Sequence, residues 1–385
     1  MLAALLFLAS LEVAQGPAKQ AENAPVATLR GDAVLGRDPS KLAHAEPSRW
    51  LAWRPNDAVP EALKGMLGAG MRAYAEADYT QALTSLFAVL DKEPDFPPAL
   101  YQAATTYFRL RRYGDCITLL ERFIVAAPSQ LGATQALGHC YYTLGDYAKA
   151  RAHYELVLAA APQSVEAWRG LGLTHMRLGE NERALECLKK ALELRPDHAE
   201  ALSSYAQILF EQGRDDEALA AAQKARDIAP HEPRNWFVLG QILGDLGRDD
   251  EAHAARDRFA ELSRIEQEIR SQEGLLLHDA HAVEPLRKLV VLQRAAGNVG
   301  EVRQVIGRLL KLTPSDVKSY LLALDTFHAI ADVAAAKSTA ADIEQRFADN
   351  ADAWKALADF YSATGDLERS KHAAEKSRGL RAPGK

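Results

Sequence analysis

The chain has 385 residues, 48% of them hydrophobic and 25% charged, with a net charge of −6 and a pI near 6.0. That balance is ordinary for a folded chain, and Lys and Arg are interspersed with Asp and Glu rather than clustered, so no nucleic-acid partner is expected. Three cysteines, Cys116, Cys140 and Cys187, form no C-x-x-C pair, which leaves a zinc or haem site without support.

The chain opens on an apolar run, Leu2 to Leu8, followed by small residues at Ala14, Gly16 and Ala18. Such a run is too short to span a bilayer and has the length of a secretory signal. Residues 1–18 are therefore expected to be a signal peptide, with export to the periplasm or outside the cell and no stable membrane span after its removal. Glu12 and the lack of a basic residue before the run keep a cytoplasmic protein with an apolar first helix as the alternative. Residues 19–60 carry scattered Ala, Pro and polar residues without periodicity and read as a low-complexity linker. Trp50 and Trp53 are the exception, a local docking point for the first repeat or for a partner.

From residue 63 the chain is periodic. Pro94, Pro128, Pro162, Pro196 and Pro230 stand 34 residues apart, in phase with Ala82, Ala150, Ala184 and Ala218 and with Gly138 and Gly172. A fixed period in this range marks stacked units that bury a core only against their neighbours. Glycine where two helices cross lets them approach, alanine answers from the other helix, and glycine at the turn reaches conformations other residues resist. Proline ends the second helix. The stretch Leu137-Gly138 … Tyr141 … Gly145 … Ala150 … Pro162, and the following Trp168, Leu171, Gly172, Gly179, Ala184, Ala191 and Pro196, closely resemble the tetratricopeptide repeat (TPR) family.

The resemblance implies an all-α fold, a right-handed superhelical α-solenoid of helix-turn-helix (TPR-like) repeats, with helix A and helix B in each. Six contiguous repeats are expected over 63–266, a helical extension or linker over 267–282, and three degenerate repeats over 283–384. The sixth has Arg264 where the others have proline, so its helix B is expected to continue toward Arg270. Trp168, Trp236 and Trp354 share one register and are expected to fill the gaps between repeats. Cys116 and Cys187 fall at packing positions, where a thiol acts as a small apolar group; spacing leaves a Cys116–Cys140 bridge open.

In this family helix A lines the concave face, and the family consists of protein-interaction scaffolds. One groove register here is Tyr74, Phe108, Tyr142, Met176 and Phe210; beside it lie Thr105, His139 and Gln207, then Arg109 and Arg177. Aromatic residues and Arg concentrate at binding hot spots, although the same aromatics also occur in the repeat for packing. Leu67 and Met71 stand where some members place Lys and Asn to clamp a C-terminal carboxylate, which disfavours that role. Later repeats offer Arg287, Lys288, Arg294, Lys318, Asp325, His328, Lys355 and Asp359, suggesting a second, charged groove or drift in weaker repeats.

Two other motifs are set aside. His278, Asp279, His281 and Glu284 crowd a polar connector, a common accident rather than a metal site. Gly65, Gly68 and Gly70 mimic a phosphate loop but lie inside a helix, with no strand before them. The expected protein is thus a non-catalytic scaffold for a protein or peptide partner, without metal or cofactor, with self-association left open. The alternative is a carrier or sensor of a small ligand or glycan in the aromatic groove.

Overall fold

The computed structural model describes residues 59–127 and 130–381. The expected signal peptide, nearly all of the linker and the Trp50–Trp53 docking point lie outside the described residues. Among those described, every regular element is an α-helix. They are α1 (Glu61–Ala75), α2 (Tyr79–Lys92), α3 (Pro97–Arg109), α4 (Tyr113–Ala126), α5 (Leu131–Thr143), α6 (Tyr147–Ala160), α7 (Val165–Arg177), α8 (Asn181–Leu194) and α9 (Ala199–Glu211). Then come α10 (Asp215–Ile228), α11 (Pro233–Asp245), α12 (Asp249–His278), α13 (Val283–Ala295), α14 (Val299–Leu312), α15 (Val317–Ala329), α16 (Val333–Arg346), α17 (Ala351–Ala363) and α18 (Leu367–Arg381). Odd-numbered helices are the A helices and even-numbered ones the B helices.

The A-to-B turn is the same in every hairpin. Gly145, Gly179, Gly213, Gly247, Gly297 and Gly365 have positive φ, and Ala77, Arg111 and Ala331 adopt it at the same register without being glycine. In the third repeat Gly145 N–H donates to the Tyr142 carbonyl and Asp146 N–H to that of Tyr141. This pair of bonds satisfies two carbonyls that helix A leaves open. Helix B then starts on a capping side chain in several repeats: Asp78, Asp146 and Asp332 accept from a backbone N–H three residues on. Pro162, Pro196, Pro230 and Pro314 each follow the C-cap of a B helix directly.

The chain divides into two compact units, one ending at Arg264 and one beginning at Ile265. In the first, successive helices pack together, and α1 on α3, α5 on α7, α7 on α9 and α9 on α11 also meet, A helix to A helix. Close A-to-A stacking makes the A side the inner face of this unit. Its core relies on close approach. A Cβ on Gly70 would lie 2.8 Å from Leu86, and one on Gly172 2.9 Å from Leu188. The Tyr154 ring is buried between Gly138 and Gly170, and a Cβ on Gly170 would fall 2.3 Å from its Cζ. Trp168 and Trp236 donate their indole N–H to the carbonyls of Pro162 and Pro230, at 2.7 and 2.8 Å, locking each ring at the entry to its repeat.

The second unit has one continuous core, from Ile269 and Leu276 through Leu289, Val302 and Phe327 to Trp354 and Tyr361. Helix α12 runs past Arg270 to His278, through most of the segment read as a helical extension or linker. Leu262, Ile269, Gln272 and Leu276 are buried at three-, four- and seven-residue spacings, so the helix keeps an apolar stripe where no proline ends it. Trp354 repeats the indole bond, to the Ala348 carbonyl at 2.7 Å. Among the described residues no helix is long and apolar enough to cross a membrane.

Candidate functional site

The inner face of the first unit carries the ladder expected from the repeat register. Each of its first three rings is braced by an aromatic residue five positions on, across the turn. Ring centroids are 5.9 Å apart for Tyr74–Tyr79 and 5.6 Å for both Phe108–Tyr113 and Tyr142–Tyr147. Arg109 Nε donates to the Tyr74 hydroxyl at 3.4 Å, and Arg177 Nε to the Tyr142 hydroxyl at 3.2 Å. One repeat's arginine is thus laid over the preceding repeat's tyrosine, twice. Tyr74, Tyr142, Met176 and Phe210 stay half-buried with surface to offer, while Phe108 is buried against Tyr113 and His139 and presents little.

The neighbouring register is polar. Thr105 is half-buried and turns its hydroxyl onto the Tyr101 carbonyl. His139 packs 5.2 Å from Phe108, ring to ring, and its Nδ1 is buried without a hydrogen-bond partner among the described residues. Burial, aided by the Arg169 charge, lowers its pKa to about 4, so the ring is neutral at pH 7. Gln207 donates to Glu211 and accepts from Arg234, each at 3.3 Å.

Reading only the aromatic register missed a second ladder in the same phase. Glu166, Glu200 and Arg234 are spaced by 34 residues, each in the first turn of an A helix. The Glu166 carboxylate is 12% exposed and accepts from Arg169 Nε at 3.2 Å, Arg195 Nη1 at 3.2 Å and His198 Nε2 at 3.1 Å. Arg169 also reaches Glu200 at 3.4 Å. Burial alone would raise the Glu166 pKa. The hydrogen bond from His198 and the charge of Arg169 outweigh it and hold the carboxyl at about 2.

Glu166, His198 and Glu200 bring one ligand-type atom each within 4.8 Å of one another, the geometry a cation would need. His198 Nδ1, however, accepts from Ala201 N–H, so the proton sits on Nε2 and is committed to Glu166. The guanidinium of Arg169 already lies against both carboxylates. The group reads as an ion network rather than a metal centre. In the second unit, Asp279 accepts from the His281 N–H, closing the turn after His278.

Some residues of both registers line one cleft on the inner face of the first unit. Its walls include Tyr142, Leu173, Arg169, Glu200 and Arg234, and its lining also takes in His139, Tyr154 and Asn235. Asn235 is wholly buried. Its amide donates to the carbonyls of Ala225 and Ala229, both at 3.0 Å, and its Oδ1 has no partner among the described residues. The cleft therefore combines half-exposed apolar surface, fixed charges of both signs and buried polar atoms with bonding capacity left over.

The charged register of the second unit is largely engaged within that unit. Arg287 binds Glu284 and Asp316, Arg294 reaches Asp325 at 2.6 Å, and Arg303 reaches Asp332 at 2.6 Å. His328 packs edge-on against Phe360 at 5.7 Å.

Two family models and several solved structures match parts of the chain. A family model described as the cilia and flagella-associated protein 70 middle TPR-like domain matches residues 135–266, and a tetratricopeptide repeat model matches residues 101–165. Among solved structures, TTC0263, a thermophilic TPR protein of Thermus thermophilus, is 28% identical over 47% of this chain and 98% of its own, with a TM-score of 0.39. MamA from Desulfovibrio magneticus RS-1, from residue 41 to its end, is 23% identical over 44% of this chain and 95% of its own, with a TM-score of 0.40. A further MamA crystal structure is 22% identical over 44% and 93%, with a TM-score of 0.41. No curated protein matches the chain.

Proposed function

From a chain that carries tetratricopeptide-like repeats, we propose a non-catalytic scaffold that holds an extended segment of a protein partner along the inner face of the first unit. The cleft between Tyr142 and Asn235 carries this reading. A peptide main chain offers both N–H donors and carbonyl acceptors. These groups suit the mixed charges of Arg169, Glu200 and Arg234 along the cleft, and the peptide's side chains suit the half-buried faces of Tyr142, Met176 and Phe210 on the same inner face. The rings are already braced, so little ordering cost falls on the scaffold when a partner binds. Glu166, tied into ion pairs with Arg169 and Arg195 and hydrogen-bonded by His198, is held as an anion rather than poised to shuttle protons. Export through the N-terminal segment belongs to the same proposal and is checked by sequencing the N-terminus of the mature protein in its native host.

The test selects binders from a random peptide display library on the full chain, then measures one selected peptide by fluorescence anisotropy. The double substitution Tyr142→Ala and Phe210→Ala should weaken its binding about tenfold or more, with the far-UV circular dichroism unchanged. Equal affinity in the folded variant removes the ladder from the site. Thermal stabilisation by a glycan or small-molecule panel, with no peptide selected, would favour the carrier reading instead.

A further inference from the structure

Two thiols in the first unit face each other. Cys116, in α4, and Cys140, in α5, bring their sulfurs to 3.7 Å, and both side chains are buried. Helix α4 is the B helix of the second repeat and α5 the A helix of the third, so the pair sits at the junction between repeats. Cys116 holds the register that the other repeats of this unit fill with Ala82, Ala150, Ala184, Ala218 and Ala252. Packing at that position asks only for a small group, and a thiol met by a second thiol goes beyond it.

We propose that Cys116 and Cys140 are a redox dithiol that closes to an intramolecular disulfide at the expense of an organic disulfide. One protein sulfur attacks the oxidant, forming a mixed disulfide and releasing one thiol. The second protein sulfur then displaces the other oxidant sulfur. Two S–H bonds are lost and one S–S bond forms in the protein. The oxidant's S–S bond takes up two electrons, and both protons end on the two released thiols. A disulfide bond is about 2.05 Å long, so the sulfurs close by roughly 1.7 Å from 3.7 Å, a movement within reach of side-chain rotation and small helix shifts.

The surroundings set the rate. The hydrogen bond with Cys140, then burial, push the Cys116 thiol well above its usual range, so the thiolate is scarce at neutral pH. Oxidation is therefore slow, accelerates with pH and passes through local opening of the junction. The bridge closes a short loop and ties the helix that carries His139 and Tyr142 to the repeat before it. Cys187 is buried elsewhere, in α8, and serves as the internal control.

The experiment incubates the full native chain with oxidised glutathione, alone or with catalytic protein disulfide isomerase. The chain is then alkylated under denaturing conditions and digested without reductant. The expected result is a linked peptide pair containing Cys116 and Cys140, an alkylated Cys187, and a higher thermal midpoint that reverts with dithiothreitol. Closure in the first arm assigns a small disulfide as sufficient; closure only in the second assigns a protein disulfide. Cys116→Ser should abolish both the linked pair and the redox-dependent midpoint. Three alkylated cysteines in both arms, or a bridge that forms only in urea, overturns the proposal. The wild-type mass measurement decides the matter even if a variant folds poorly.

Discussion

In the repeats before Arg264 the crossing of helix A on helix B is closed by small residues, with Gly70, Gly138, Gly172 and Gly240 set against Ala82, Ala150, Ala184 and Ala252. In the first two repeats after Ile265, the buried Val290 and Leu324 stand at that crossing, opposite Val302 and Ala336, while the last repeat keeps small residues there, Ala358 and Ser370. The ties between repeats differ as well. The first unit buries its central ion network around Glu166, 12% exposed, and lays arginines over tyrosine hydroxyls. The second uses pairs such as Arg294–Asp325, in which the aspartate is 68% exposed. One hairpin geometry is thus reached by two routes: close approach with a buried polar network, or bulkier aliphatic filling with solvent-facing pairs. The first route is sensitive to a single methyl group at the crossing.

The largest expected effect tests the close approach. Gly170→Ala places a methyl against the buried Tyr154 ring and should cost about 3 kcal/mol. Calorimetry should show a transition lowered for the first unit. The same change at Gly307, in α14, meets nothing within 4 Å and should instead stabilise the second unit by about 0.5–1 kcal/mol. An unmoved first transition in Gly170→Ala would break the comparison at its root.

Acid tests the buried network of the first unit next. The Glu166 carboxyl titrates at about 2 when folded, against its ordinary value of 4.5. Its contribution is full above the unfolded value and is lost as pH falls through the folded one. After discounting for screening, Glu166→Gln should cost on the order of 2 kcal/mol at neutral pH, a penalty that shrinks in urea titrations below pH 4.5. His139, lowered to about 4 by burial and then by Arg169, favours the folded state fully above its usual value of about 6.5 and progressively less as pH falls toward 4. His139→Gln should flatten that upper window and leave the lower one in place.

Turn strain gives a smaller effect in both units. Arg111→Gly in the first and Ala331→Gly in the second each relieve a positive φ and should gain about 0.5–1 kcal/mol in chemical denaturation, less than the full strain because glycine also frees the unfolded chain. Gly179→Ala should lose about 1 kcal/mol. The smallest effect belongs to Arg294→Ala. Its exposed pair should contribute no more than about 0.5 kcal/mol and nothing measurable at about 1 M salt. A larger loss would mean that the second unit depends on its surface pairs.

Period and phase made the hairpins legible, because glycine at the crossing, glycine at the turn and proline after helix B each answer a local steric demand. The turn column was legible at its glycines, whereas the positive φ of Ala77, Arg111 and Ala331 in the same register came from the structure. Less of the site could be read. Glu166, Glu200 and Arg234 share a 34-residue phase as plainly as the aromatic ladder, yet their pairing with Arg169 and His198 depends on how neighbouring A helices stack. Nor does a charge pattern disclose that Arg287 and Arg294 are answered by Asp316 and Asp325 of the following repeat. The extension of α12 was legible in the missing proline at Arg264, but its end at His278 was not, because its buried stripe follows helical spacing and not the 34-residue phase.

The indole bonds have an optical consequence. Trp168, Trp236 and Trp354 each anchor to a carbonyl six residues earlier, so parting a junction wets a ring that was held in a fixed field. Fluorescence from these three sites makes the molecule its own gauge: emission shifting toward the red at one wavelength-resolved step would date the opening of that joint alone. Chains retaining a single one of these three indoles, with the others and those outside the described residues replaced by phenylalanine, would turn a melting curve into a sequence of dated local events, two in the first unit and one in the second.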